Sequence, residues 1–203
     1  MNPNWVITPK KFMNPEEVRS LRRVAEDAAI VAERRGRMLA IRDWMILDLA
    51  LQSGLRVSEL AALKEEDLFL RGEAAMLTVV QGKGGKTRNV RLTPDLRSHL
   101  RKYLHWKHGI GKTGKHVFFS DRRDQMSIKT IENVFKKYSR LAGIIGKTIH
   151  STRHTFATQL LRKTKNLKLV QQMLGHASLQ TTQVYLGVVD SDLDKAFSSN
   201  LWD

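Results

Sequence analysis

The chain has 203 residues, 41% of them apolar and 27% charged, which suits a folded chain with a real core and excludes a disordered one. Thirty-five Lys and Arg against twenty Asp and Glu give a formal charge of +15, a bias that folding does not require and that points to a polyanionic partner. The absence of cysteine excludes disulfides, thiolate metal sites and cysteine nucleophiles.

Residues 1–13 read as an N-terminal arm or linker remnant. Asn14-Pro15-Glu16-Glu17 then starts a helix, with Asn as cap, Pro in the first turn and Glu at the capping-box position, and the helix is expected to run to about Arg34. Leu39 to Gln52 is apolar on nearly every side and is expected to be a central buried helix closed by Gly54. A short helix follows from Arg56, and Glu65, Glu66 and Asp67 read as a solvated loop. Ala75–Val80 and Arg88–Leu92 are β-rich runs on either side of QGKGGKT, which predicts a hairpin with a glycine-rich tip carrying Lys83. Thr93-Pro94 opens a helix to about Trp106, residues 108–116 read as an exposed basic loop, and His116–Ser120 is expected to be a third strand. Ser127 caps a helix whose Ile131, Phe135, Tyr138 and Leu141 share a face. The expected fold class is mainly α with a small three-stranded antiparallel sheet (α+β). Trp44–Leu51, the most apolar run, is too short to span a bilayer and contains Asp48, and no signal-peptide layout is visible, so a cytoplasmic protein is expected.

The stretch from Thr148 to Leu186 carries chemistry where a structural segment would carry apolar side chains. Arg153 shares a helical face with Phe156, Ala157 and Leu160, and a charge there needs an anionic partner. Leu167–Leu174 is a further helix, Gly175 takes its left-handed cap position, and His176 follows at once. Ser178 is placed to cap a last short helix carrying Tyr185. His150 and His154 have metal-binding spacing, but the residues between them are Ser, Thr and Arg, and Arg153 would repel a cation; no metal or other cofactor is expected. Gly85-Lys86-Thr87 resembles the end of a nucleotide-binding P-loop, yet Val80 stands where that motif requires glycine. Two arginines, imidazoles and a phenol without a carboxylate among them suit a phosphate diester and a tyrosine nucleophile.

GLRVSEL at 54–60, GKGGKTR at 82–88, HSTRHTFAT at 150–158, LGH at 174–176 and Tyr185 together resemble the tyrosine recombinase (phage integrase) family, most of all its Xer-type members. The resemblance covers about residues 14–187, and it implies the tyrosine recombinase catalytic-domain fold. It further implies that Arg56 and Arg153 are the two phosphate-binding arginines, Lys83 the hairpin lysine, His150 and His176 the two histidines and Tyr185 the nucleophile; from the chemistry of the groups, Lys83 is expected to protonate the leaving oxygen, His150 to accept the tyrosine proton and His176 to donate to a phosphate oxygen. The product would be a 3′-phosphotyrosyl intermediate, resealed by strand exchange through a Holliday junction. Double-stranded DNA and other copies of the chain or a related recombinase, in a tetrameric synapse, are the implied partners. A type IB topoisomerase-like nicking enzyme and an inert DNA-binding relative are the alternatives. Most relatives carry an additional N-terminal core-binding domain, so the sequence reads as either an excised catalytic domain or a short recombinase. Residues 188–203 form a tail in which Leu193, Phe197 and Leu201 make one helical stripe, expected to fold back or to dock on a neighbouring subunit.

Overall fold

The long first helix begins where a reciprocal cap forms: Asn14 Oδ1 accepts from the Glu17 N–H at 2.8 Å, and the Glu17 carboxylate accepts from the Asn14 N–H at 2.8 Å. In the computed structural model of the chain, residues 9–35, 38–72, 74–80, 87–120, 122–176 and 180–186 are described. Lys83 and the hairpin tip, the cap expected at Ser178, and the tail with Leu193, Phe197 and Leu201 lie outside the described residues.

Helix α1 (Pro15–Arg34) lays Leu21, Ala25, Ala29 and Ala32 against α2 (Leu39–Ser53). Alanines at this interface let the two backbones approach closely. Helix α2 is the hub, with Met45, Ile46, Leu47, Leu49 and Ala50 at most 1% exposed. Its buried charged side chains are paired, with only the Arg42 Nε left without a hydrogen bond among the described residues: Arg42 donates to Asp43 (2.9 Å) and to the Phe119 carbonyl (3.0 Å), and Asp48 accepts from Gln52 and meets His99. Around it stand α3 (Val57–Ala62), α4 (Pro94–Gly109), α5 (Ile128–Leu141) and α6 (Ile149–Thr164), followed by α7 (Leu167–Leu174) and α8 (Gln180–Gln183). Among the described residues no helix is long and apolar enough to cross a membrane.

The sheet is antiparallel, in the order β1 (Leu68–Phe69), β2 (Met76–Val79), β3 (Arg88–Arg91). Leu77 pairs with Val90 and both are fully buried, while Thr78 and Asn89 bond across the outer face at 2.9 Å. The third strand is therefore not His116–Ser120 as its sequence suggests. That run makes one isolated bridge, Lys64 to His116, and its apolar side chains are buried while the Val117 and Met126 N–H groups bond to the Leu63 and Phe118 carbonyls. A β-rich composition there reflects burial, not strand pairing.

Two further expectations change, and the residues just before α1 are tied to the body. Glu65 is not in a solvated loop: it accepts from Lys107, a fully buried lysine that also donates to the Gly114 and His116 carbonyls at 2.8 Å each. Burying that ammonium requires the carboxylate, so the pair pins residues 108–116 to the helical body. Leu141 is 62% exposed, because at 100° per residue it falls roughly 80° from Ile131, at the edge of the buried stripe. Finally, the segment before α1 is anchored: Phe12 and Met13 are buried, the Met13 N–H donates to Thr155 Oγ1 (2.8 Å), and Lys147 donates to the Lys10 and Phe12 carbonyls.

Candidate active site

Helix α3 begins at Arg56, whose N–H and guanidinium both donate to Glu59, each at 2.8 Å. The same carboxylate accepts a forked pair from Arg88 on β3, at 2.9 and 2.7 Å, and lies 4.0 Å from Arg153 of α6. Arg153 in turn donates to the Gly54 carbonyl (2.6 Å) and the Leu174 carbonyl (2.7 Å). One buried carboxylate thus organises three guanidiniums from three elements and leaves the cluster with an excess of two positive charges. Burial pushes the Glu59 carboxyl up, but the hydrogen bonds and charge of Arg88 and the bonds from Arg56 outweigh it and hold the group at about 2. Burial and the Arg56 charge bring Arg153 down to about 10, which still leaves it a cation at neutral pH.

Two glycines make this packing possible. Gly54 caps α2 at φ +65°, and a Cβ there would stand 2.4 Å from the Phe156 ring; at Gly175, φ +65°, it would stand 2.6 Å from Arg88 Cδ. Gly54→Ala is expected to cost about 2–4 kcal/mol, from the left-handed backbone and the ring it must displace. Chemical denaturation of the two proteins checks this, and equal midpoints would refute it. Because the Gly54 carbonyl holds Arg153, the position of that guanidinium should shift as well.

Past the α7 cap, the His176 side chain meets Thr182 Oγ1 at 2.9 Å, and Gln171 donates to the His176 carbonyl. Burial, then Arg153, Arg56 and Arg88, bring its imidazole down to about 4. Tyr185 does not ride on α8; it sits in the turn after it, with its N–H on the Thr182 carbonyl. Its ring is 2% exposed, packed in a cluster with Phe12, Ala157, Leu161, Val170 and Leu174. Its hydroxyl lies 3.0 Å from Nδ1 of His154. Burial drives the phenol up to about 12 against the pull of Arg153 and Arg56, and burial with the charges of Arg153, Lys11 and His150 brings His154 down to about 4.

Arg56, Arg153, His176 and Tyr185 are therefore brought into one electrostatic neighbourhood, while Lys83 lies outside the described residues. His150 is exposed one turn before His154 on α6. Sequence reasoning missed Glu59, Arg88 and His154 as parts of the site. The capping-box spacing of Glu59 after Arg56 was a usable signal. Arg88 ends a glycine-rich motif, and His154 stands out only through its spacing from His150. The set can grip a dianionic transition state with fixed donors and present a phenol to it.

The model of the phage integrase family matches residues 11–191. The tyrosine recombinase XerA of Pyrococcus furiosus is 36% identical over 198 residues, covering 96% of this chain and 63% of the relative. XerA of Pyrococcus horikoshii is 35% identical over 202 residues with the same coverage. The chain thus spans less than two thirds of the length of these relatives. Among solved structures, a XerA recombinase superposes with a TM-score of 0.75 at 30% identity, covering 92% of this chain and 64% of that one. XerH site-specific recombinase, in a post-cleavage complex on a palindromic difH substrate, gives 0.76 at 25% identity, covering 93% and 52%.

Proposed function

Because the chain belongs to the phage integrase family, we propose that it is the catalytic domain of a site-specific tyrosine recombinase, which cleaves and rejoins DNA strands through Tyr185 without a metal. The observation that carries this reading is the convergence of Arg56, Arg153 and His176 on the neighbourhood of a buried tyrosine. Arg56 and Arg153 bind the two non-bridging oxygens of the scissile phosphate and offset the charge that builds as the phosphorus becomes five-coordinate. His176 donates a further hydrogen bond to that phosphate. The Tyr185 oxygen forms a bond to phosphorus, the bond to the DNA 5′ oxygen breaks, and Lys83 gives the departing oxygen its proton. His150 is a helper on the open side of the site. The resulting 3′-phosphotyrosyl diester keeps the energy of the broken bond, so a second 5′ hydroxyl reseals the strand without ATP.

Residues 14–187 form the catalytic unit in this reading, and residues 188–203 are a tail that docks on a neighbouring copy in a DNA-bound tetramer. The difH complex of the relative XerH supports double-stranded DNA as the substrate. The test is incubation of the chain with a nicked suicide duplex in the presence of a chelator. A protein–DNA adduct that survives denaturant is the expected result; reversible binding with no adduct at any site sequence would overturn the proposal.

The +15 charge makes a further expectation quantitative. If about six phosphates are contacted, raising salt from about 50 to 200 mM should weaken DNA binding on the order of a thousandfold. Salt-insensitive affinity in a titration would contradict a backbone-dominated interface.

A further inference from the structure

We propose that His154 is the catalytic base that takes the phenolic proton of Tyr185 as its oxygen attacks the phosphate. The inference rests on the recombinase reading and adds a residue to it. Its basis is geometric. The Tyr185 ring is enclosed by Phe12, Ala157, Leu161, Val170 and Leu174, and its hydroxyl emerges against His154 Nδ1 at 3.0 Å. His150, the residue that the sequence suggests for this role, is exposed and a full turn earlier on α6. Adjacent residues on a helix point about 100° apart. Arg153 therefore reaches the Gly54 and Leu174 carbonyls while His154, the next residue, reaches the phenol. One helical turn holds both a phosphate-binding group and the proton acceptor for the nucleophile.

The proton balance is simple. His154 is neutral at physiological pH, and in the tautomer that carries its proton on Nε2 the Nδ1 atom offers a lone pair to the Tyr185 O–H. As the O–P bond forms, the phenol oxygen loses electron density and its proton passes to Nδ1, leaving an imidazolium; the broken P–O5′ bond takes its proton from Lys83. In the reverse step the imidazolium returns the proton to the departing phenolate. Without DNA the transfer is strongly uphill, because burial holds the phenol up, while burial and the charges of Arg153, Lys11 and His150 hold the imidazole down. A phosphodiester against Arg153 offsets one of the charges that oppose an imidazolium. The base therefore gains strength where substrate is bound, and the DNA-free chain stays inactive.

The experiment is single-turnover cleavage of a nicked suicide duplex by the full chain, with folding checked by thermal melting. His154→Ala should bind DNA normally and form adduct about 10²–10³ times more slowly. His154→Asn keeps an acceptor amide near the phenol but cannot hold its proton, so it should be as slow as His154→Ala. Added imidazole should restore part of the His154→Ala rate and none in Tyr185→Phe. A duplex with a 5′-bridging sulfur, whose thiolate leaves without a proton, should retain the His154 deficit. Wild-type rates in His154→Ala, recovery in His154→Asn, or disappearance of the deficit with the sulfur substrate would each overturn the assignment. Should His154→Ala fail to fold, the His154→Asn rate decides alone. Absence of any adduct from the unmodified chain would overturn the recombinase reading and this inference with it. A normal wild-type adduct with an unimpaired His154→Asn overturns the inference alone.

Discussion

Tyr185→Phe is expected to bind DNA with unchanged affinity and to form no denaturant-resistant adduct. The substitution removes one oxygen from a ring that is otherwise enclosed, so its apolar packing against Leu161, Val170 and Leu174 persists. The lost hydrogen bond to His154 should cost about 0.5–1.5 kcal/mol, too little to unfold a domain of this size. Arg56 and Arg153, the proposed phosphate-binding groups, are held by Glu59 and by the Gly54 and Leu174 carbonyls, none of which depends on the phenol. Binding and chemistry should therefore separate cleanly. Electrophoresis in denaturant after incubation with a suicide duplex reads the adduct, and a titration under the same conditions reads affinity. A normal adduct in this variant would mean that another residue is the nucleophile.

The parts of the fold that were legible in the sequence are those decided within a few residues. Asn14 with Glu17, Thr93 before Pro94, Ser127, and the glycines at 54 and 175 each mark a helix end through a local bond or backbone angle, and each stands where expected. What failed depended on distant partners. Leu68–Phe69 is a strand only because β2 lies beside it, and two residues carry no periodicity. Glu65 looks solvated until Lys107, 42 residues away, is brought under it. The same division runs through the site. Arg56, Arg153, His176 and Tyr185 are the candidates that motifs and helix faces propose, whereas Arg88 joins the cluster through a carboxylate 29 positions away and His154 through a phenol 31 positions away. A resemblance between motifs names the groups that do chemistry; it carries less about the groups that hold them.

Glu59→Gln is expected to be strongly destabilising while leaving every proposed catalytic residue in place. The carboxylate is 10% exposed, and among the described residues it alone pairs with Arg88 and approaches Arg153, whose side chains are 8% and 9% exposed. The amide keeps the shape but supplies no charge and only one acceptor oxygen, so the Arg88 fork loses a bond and the guanidiniums repel one another unopposed. Removing one partner of such a buried set costs about 3–5 kcal/mol. The pH dependence tests the cause. Glu59 is held at about 2, below the 4.5 of an unperturbed carboxyl, so its contribution of ~3 kcal/mol is fully present above pH 4.5 and is lost as pH falls toward 2. Denaturation of the two proteins should therefore differ most near neutrality and converge in acid. Cleavage should also drop at neutral pH, since Arg56 and Arg153 lose the charge that fixes their positions. A stability difference that stays constant from pH 7 to pH 2 would show that Glu59 acts through shape, and that the carboxylate is not what gathers the three arginines.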